Sequence, residues 1–209
     1  MKEYIHFFRQ FRERFETTGS IAPSSRFLAR AITQPLVNFK KENQPVRILE
    51  IGPGTGAFTG HIVRHLSAGD QFDIVEINEV FANLIQEQFK TKPHYQKAAD
   101  VSQVHCCPLQ EFETEGGYDF IVSGLPLNNF SPALVANFFE LFSKLLKPGG
   151  TLSYFEYMFI RSLKKTLSSK MREIDAVIKP EVEQHRIRRD WVFANLPSAW
   201  VQHLQFSKE

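Results

Sequence analysis

Three stretches of the chain predict an α/β fold: a seven-stranded, mostly parallel sheet with helices on both faces. In Val46 to Gly60, VRILEIGPGTGAFTG, the residues Val46, Ile48, Leu49 and Ile51 read as a buried parallel strand. Gly52, Gly54 and Gly56 then alternate through a turn, and Ala57 opens a helical pattern. About 20 residues on, a second apolar strand, QFDIVEIN, ends in Glu76 and Ile77. The third stretch, GYDFIVSGLPLNNFSP, places a strand over Asp119 to Val122 before the turn Ser123, Gly124, Leu125 and Pro126. Strand, tight turn and helix recur in the order that builds open parallel sheets, whose ligands bind at the carboxyl ends of the strands.

Glycine tolerates positive φ and lacks a Cβ, so the first turn can pass close beneath a ligand whose polar groups meet backbone N–H donors. Glu76 is placed to accept hydrogen bonds from ribose hydroxyls, which implies a nucleoside cofactor. A GxGxG turn alone could begin a nicotinamide-binding unit. Here Glu50 precedes the turn, Pro53 and Thr55 sit within it and the GxGxxG spacing is missing. Together these resemble motif I of class I S-adenosylmethionine (SAM) methyltransferases.

The chain has 209 residues, which suits one domain. No apolar run reaches the roughly 18 residues of a membrane span, and the start lacks a signal-peptide core, so the expected location is cytoplasmic. Cys106 and Cys107 lie side by side without metal-ligand spacing. They read as reduced packing residues in the third strand, and no metal is expected. The formal net charge of +2 hides a basic stretch, Arg161 to Arg189, with nine Lys or Arg against four Asp or Glu. That stretch is either an ordinary solvated helix surface or a site for an anionic partner such as phospholipid or RNA.

Before the first strand, residues 2–16 place Tyr4, Phe7, Phe8, Phe11 and Phe15 at helical spacing, with Arg12 and Arg14 bordering the stripe and Arg9 farther round. Such a helix suits either a lipid headgroup boundary or its own domain core. Gly19 and Pro23 break it, and Ser24 or Ser25 caps a new helix buried through Phe27, Leu28, Ala31 and Ile32. The serine hydroxyls could equally meet a cofactor carboxylate. Pro35 to Pro45 reads as a helix end and a charged loop.

After Glu76, NEVFANLIQEQFK reads as an amphipathic helix and TKPHYQKAADVSQ as a loop, with the third strand at VHCCPLQEF. Pro108 stands where this superfamily commonly carries an acid for adenine, so the backbone N–H of Leu109 is the expected substitute. The turn Ser123 to Pro126 should border the acceptor, its carbonyls and the Ser123 hydroxyl orienting an amine. A helix from Ala133 to Leu146 follows. KPGG stops it and begins TLSYFEYMFI, with Leu152, Tyr154, Glu156 and Met158 on one face and Thr151, Ser153, Phe155, Tyr157 and Phe159 on the other. Tyr157, near the ligand edge, has a ring that could face a methylated ammonium. A basic helix from Arg161 to Val177 and two adjacent strands, HRIRRDWVF and AWVQHLQF, complete the sheet.

Taken together, IAPSSRFLAR, EIGPGTGAFT, VSGLPL, FEY and NLPSAWV occur in the same order as in bacterial phospholipid N-methyltransferases, over about residues 18 to 203. The resemblance implies a Rossmann-like class I methyltransferase domain over 19–209 behind an N-terminal amphipathic helix over 1–18. It also implies SAM as cofactor and, as acceptor, phosphatidylethanolamine at an anionic membrane surface, with its mono- and dimethyl forms accepted by some members. Carried onto this sequence, Ser24 and Ser25 lie near the methionine end of SAM, Gly52 to Gly56 beneath it and Glu76 at the ribose, with Ser123 to Pro126 beside the amine. The chain departs from the family at Pro108 and at Glu156, where a small or polar residue is usual.

The first helix, by the same resemblance, attaches the enzyme peripherally to the bilayer, its arginines adding roughly 1 kcal/mol each near an anionic surface. The runner-up is RNA adenine methylation of the ribosomal dimethylase type. Those enzymes carry an NxPY-like motif where this chain has SGLP, which ranks RNA below lipid as the partner; DNA is not expected. A SAM-dependent N-methyltransferase of another small molecule and a catalytically inert SAM-binding or membrane-binding protein are the remaining possibilities. His105 and His185 are conceivable bases, but neither is assigned.

Overall fold

The computed structural model describes residues 24–42, 44–158 and 169–206. The expected aromatic helix of residues 2–16 and the start of the basic stretch lie outside the described residues. The strands are β1 (Arg47–Ile51), β2 (Gln71–Val75), β3 (Ser102–His105), β4 (Tyr118–Ser123), β5 (Leu146–Tyr157), β6 (Arg186–Val192) and β7 (Ala199–Leu204). They form one sheet in the order β3-β2-β1-β4-β5-β7-β6. Only β7 runs against the others, slotted between β5 and β6. The helices are α1 (Arg26–Ile32), α2 (Gln34–Phe39), α3 (Thr59–Ile62), α4 (Glu79–Thr91), α5 (Pro93–Gln96), α6 (Pro132–Leu145) and α7 (Ser169–His185). This is the Rossmann-like arrangement expected from the sequence.

Alternation along the strands divides the core in two. On one face Leu49, Ile121, Leu152, Tyr154 and Leu204 pack against Phe138 and Phe142 of α6 and Ile174 and Ile178 of α7. On the other, Ile48, Phe72, Ile74, Val122 and Val201 meet Leu28 and Ile32 of α1, Ile62 of α3, Ile85 of α4 and Tyr95 of α5. Phe155 and Tyr157 join this second cluster, opposite Leu152 and Tyr154, as the period of two in β5 requires.

Several boundaries differ from those read in the sequence. The helix expected to open at Ala57 begins at Thr59 and passes after one turn into a 3-10 segment, Val63–His65. Pro35 does not end a helix but occupies the first turn of α2, where a missing N–H costs nothing. The loop expected after α4 contains α5, whose Tyr95 is buried. β3 stops at His105, so Cys106 and Cys107 lie beyond the strand, the first exposed and the second half-buried.

KPGG is part of β5 rather than a connection before it, with a register irregularity against β4. Helix α6 starts at Pro132, capped by Ser131. Helix α7 runs through Pro180 to His185, well past Val177. Its buried stripe of Met171, Ile174, Ile178 and Val182 keeps helical spacing across the proline, so packing overrides the local break. Phe27 is exposed, beneath the Arg26 guanidinium at 4.9 Å, and Ala29 takes its expected place in the core.

Candidate active site

The sheet order reverses between β1 and β4, where the chain leaves β1 toward β2 on one side and β4 leads to β5 on the other. Connections diverge there and leave a crevice at the carboxyl edge. Two turns fill its floor. Gly52, Gly54 and Gly56 adopt φ of 67°, 54° and 86°, a conformation costly for any residue with a Cβ. The second turn closes on the first: the Gly124 N–H donates to the Ile51 carbonyl at 2.8 Å, and a Cβ on Gly124 would collide with the Gly52 carbonyl oxygen. A Cβ on Gly52 would in turn lie 3.1 Å from Leu125 Cδ2.

The outer side of the glycine turn is packed tight. A Cβ on Gly56 would meet Ile85 Cδ1 at 2.7 Å and the Tyr95 hydroxyl at 3.0 Å. That hydroxyl donates to the Gly56 carbonyl, and Gln88 Nε2 donates to the Thr55 carbonyl. The Gly56 N–H closes on the carbonyl of buried Pro53 at 2.9 Å. Gly54 differs, because a Cβ there meets nothing within 4 Å. The turn therefore has a braced back and an open front.

Two buried carboxylates lie beside the turn. Glu76 follows β2, is buried, and accepts the N–H groups of Gly54 at 3.3 Å and Asn78 at 2.9 Å. These bonds fix the carboxylate and leave it acceptor capacity. Burial raises its pKa, opposed by those N–H groups. Glu50, in β1, is wholly buried, and neither of its oxygens has a hydrogen-bond partner. Thr59 faces it from the start of α3. Burial lifts its pKa to about 8 against the lowering effect of the Thr59 hydroxyl and N–H, with a smaller upward push from Glu76. A buried acid without a partner is costly as an anion and calls for a cation or donor brought from outside.

Of the sequence-derived site residues, the structure brings Glu50, Gly52, Pro53, Gly54, Thr55, Gly56, Glu76, Ser123, Gly124 and Leu125 into one contiguous unit. Ser123 is fully buried and its hydroxyl oxygen accepts the Leu125 N–H at 3.3 Å, which shapes the turn from within. Ile77 packs partly buried against the α6 side. Leu109 opens a 3-10 turn beyond β3, its side chain buried in the same cluster. Ser25 and Tyr157 are each tied to the hairpin of β6 and β7 at the same edge, and Ser24 precedes Ser25.

Ser25 caps α1 through the Leu28 N–H, and its own N–H donates to Asn195 Oδ1 at 3.0 Å. Tyr157 pairs with Ala199, and the Met158 N–H donates to the Ser198 carbonyl. The tyrosine is half-buried, meets Phe155 edge-on, and has its pKa raised by burial. The sequence reading did not single out Tyr95, Gln88, Thr59 or Asn195. Gln88, Tyr95 and Asn195 act across 33, 39 and 170 positions, whereas Thr59 closes the quoted motif EIGPGTGAFT as Asn195 opens NLPSAWV. Among the described residues no group of three or more His, Cys, Asp or Glu could hold a metal ion.

The methyltransferase domain family matches residues 48–150, from β1 to the glycines of β5. The ornithine lipid N-methyltransferase of Singulisphaera acidiphila is 30% identical over 157 residues, 73% of this chain and 77% of that protein. Among solved structures, an O-methyltransferase from Bacillus cereus in complex with SAH aligns with a TM-score of 0.67 at 18% identity, over 96% of this chain and 90% of that one. The N-methyltransferase NodS from Bradyrhizobium japonicum WM9, in complex with S-adenosyl-l-homocysteine, aligns with a TM-score of 0.61 at 15% identity, over 87% and 88%.

The methyltransferase family match makes SAM the cofactor, and the crevice suits it: the open front of Gly54 admits a ligand, and the buried Glu50 carboxylate suits the ammonium of its methionine end. With a curated relative matched over about three-quarters of both chains, the protein belongs to the class I SAM-dependent methyltransferases.

Proposed function

We propose that the protein transfers methyl from SAM to the primary amine of a membrane lipid, phosphatidylethanolamine foremost, at an anionic membrane surface. The observation that carries this reading is the relative aligned over 77% of its own length, whose name states a lipid acceptor and a nitrogen target. When bound, SAM supplies an electrophilic sulfonium methyl whose carbon an uncharged amine attacks in line, forming the N–C bond as the S–C bond breaks and S-adenosylhomocysteine leaves.

The chain's own residues then have assignable tasks. Ionised Glu50 pairs with the cofactor ammonium, and Ser24 and Ser25 offer hydroxyls to its carboxylate. Glu76 accepts the ribose hydroxyls with its remaining lone pairs, and the Leu109 N–H takes the adenine edge. Ser123, by holding the Leu125 N–H, fixes the turn whose Gly124 and Leu125 backbone borders the acceptor amine. Tyr157 offers a ring face to the methylated ammonium. Rate enhancement comes mostly from holding nitrogen and methyl carbon at about 3 to 3.5 Å, with water removing the ammonium proton.

Labelled SAM incubated with the full chain and phosphatidylethanolamine vesicles, with and without anionic lipid, tests the reading, with ornithine lipid and RNA run in parallel. Label is expected in phosphatidylethanolamine, and more of it with anionic vesicles. Label in ornithine lipid alone would move the acceptor to another lipid amine. Label in RNA and in no lipid would overturn the proposal.

A further inference from the structure

The carboxyl edge carries a surface that the methyl-transfer site does not use. Between β6 and β7 the chain turns through residues 193–198, and three large apolar side chains of this hairpin face solvent: Trp191 at 54% exposure, Phe193 at 69% and Leu196 at 86%. Exposed Phe27 of α1 lies two residues beyond Ser25, which Asn195 of the same turn holds. Single exposed apolar residues are ordinary on a surface, but three within six residues of one hairpin, two of them stacked on each other, mark a contact.

The patch is ordered and aromatic. Trp191 stacks on Phe193 with ring centres 6.0 Å apart and meets Trp200 edge-on at 5.4 Å. Arg189 borders it, its guanidinium 5.1 Å over the Trp200 ring; Arg186 and Arg188 follow farther back on the exposed edge strand, and the Arg26 guanidinium covers Phe27 at 4.9 Å on α1. The acid of β6, Asp190, is committed to Arg188 at 2.8 Å and to His203 at 3.3 Å. Indole and phenyl rings rimmed by guanidinium groups match the headgroup layer of a bilayer, apolar just below and anionic at the surface.

We propose that the β6–β7 hairpin, with the start of α1, inserts into the interface of an anionic lipid bilayer and sets the crevice facing the membrane. The inference rests on the lipid-acceptor reading, because that amine must reach the crevice from the bilayer. The geometry meets the need: β6 parallels β1 and β4, so its turn emerges at the edge where the glycine turn and the Ser123 to Pro126 turn lie. The Ala199 to Tyr157 pairing and the Ser25 to Asn195 hydrogen bond tie the hairpin rigidly to elements flanking the crevice.

The chain has two tryptophans, Trp191 and Trp200, and both belong to the patch, so intrinsic fluorescence reports on it without a label. The full chain, titrated with phosphatidylglycerol vesicles, is expected to show blue-shifted emission and quenching by lipids brominated near the headgroup. Phosphatidylcholine vesicles should give a much smaller change, and raised salt should weaken both. Phe193→Ser with Leu196→Ser is expected to lower vesicle partition about tenfold or more, with methyl transfer to monomeric short-chain phosphatidylethanolamine within about twofold of the parent. Arg186→Gln with Arg188→Gln should reduce the salt dependence.

Vesicle-bound protein with unmoved and unquenched tryptophan emission would overturn the proposal, as would a Phe193, Leu196 double variant that sediments like the parent. Failure to bind vesicles, together with self-association that the double variant abolishes, would assign the patch to a second copy and equally overturn it. The two readings separate cleanly. Quenching that persists when no lipid amine accepts methyl upholds the surface and removes the substrate reading; methylation of short-chain lipid without any vesicle effect on tryptophan does the reverse.

Discussion

Glu50 is a carboxylate where water does not reach, and its ionisation sets two opposite pH dependences. The folded chain holds its proton up to about pH 8, whereas the unfolded chain releases it near 4.5. Between those values the folded state binds one proton more, so stability falls as pH rises, by roughly 1 kcal/mol per unit. His61, whose pKa burial lowers to about 4, acts in the opposite sense up to 6.5, and His65 and His203 are lowered too. The clear window is therefore about 6.5 to 8. Urea melts there should show stability declining with pH, and Glu50→Gln should flatten the slope. Affinity for SAM, which needs the ionised form beside its ammonium, should rise with pH by up to about tenfold per unit and level off near 8; calorimetry on Glu50→Gln should show weak, pH-independent binding.

Gly54 supplies a second contrast at this scale. A Cβ there meets no protein atom, so Gly54→Ala bears only the cost of positive φ, roughly 1 to 2 kcal/mol. If the open front is the cofactor's place, the methyl group intrudes on the ligand, and SAM affinity should fall at least about tenfold while the melt moves modestly. Equal affinity in the variant and the parent would place the cofactor elsewhere.

Elements were legible wherever a periodic signal was local. β1, β2, β4, α4 and the closing pair β6 and β7 follow from apolar runs, glycine and asparagine. What escaped depended on partners distant in sequence. α5 is only four residues long, and it matters because Tyr95 reaches back to Gly56, 39 positions away. The continuation of α7 through Pro180 is fixed by its buried face against α6, which no window around the proline reveals. Asn195 is the same case for the site. Its amide accepts from Ser25 and donates to the Pro197 carbonyl at 2.7 Å, joining the start of α1 to the β6–β7 turn across 170 positions. Asn195→Ala leaves the partly buried Ser25 N–H without its Oδ1 acceptor and should cost about 1 kcal/mol, read as a lower urea midpoint with unchanged slope. If Ser24 and Ser25 meet the cofactor, KM for SAM should rise as well, while substitution of exposed Gln96 changes neither.

For the whole molecule, the sheet order puts the ends of β1, β2 and β4 side by side at the point where connections diverge, and a ligand there touches segments that the sequence separates by some 70 positions. The order itself was inferable from family resemblance, but the interlock of Gly52 with Gly124 was not, since neither glycine alone announces its neighbour. A ligand held across three strand ends must leave before the central sheet opens, so binding should stabilise the fold as one unit. At 100-fold excess over Kd, SAM or S-adenosylhomocysteine should add about 2.7 kcal/mol, a rise of roughly 5 to 10 °C in Tm for a chain of this size, and NAD should add none. Hydrogen exchange should slow at Gly54, Asn78, Gly124 and Leu125, whose N–H groups bind within the two turns and Glu76, and stay unchanged between α6 and α7. In Gly124→Ala, where the new Cβ pushes the Gly52 carbonyl aside, the ligand-induced rise should disappear even if the apo melt survives. A retained rise in that variant would show that the two turns do not act together in holding the cofactor.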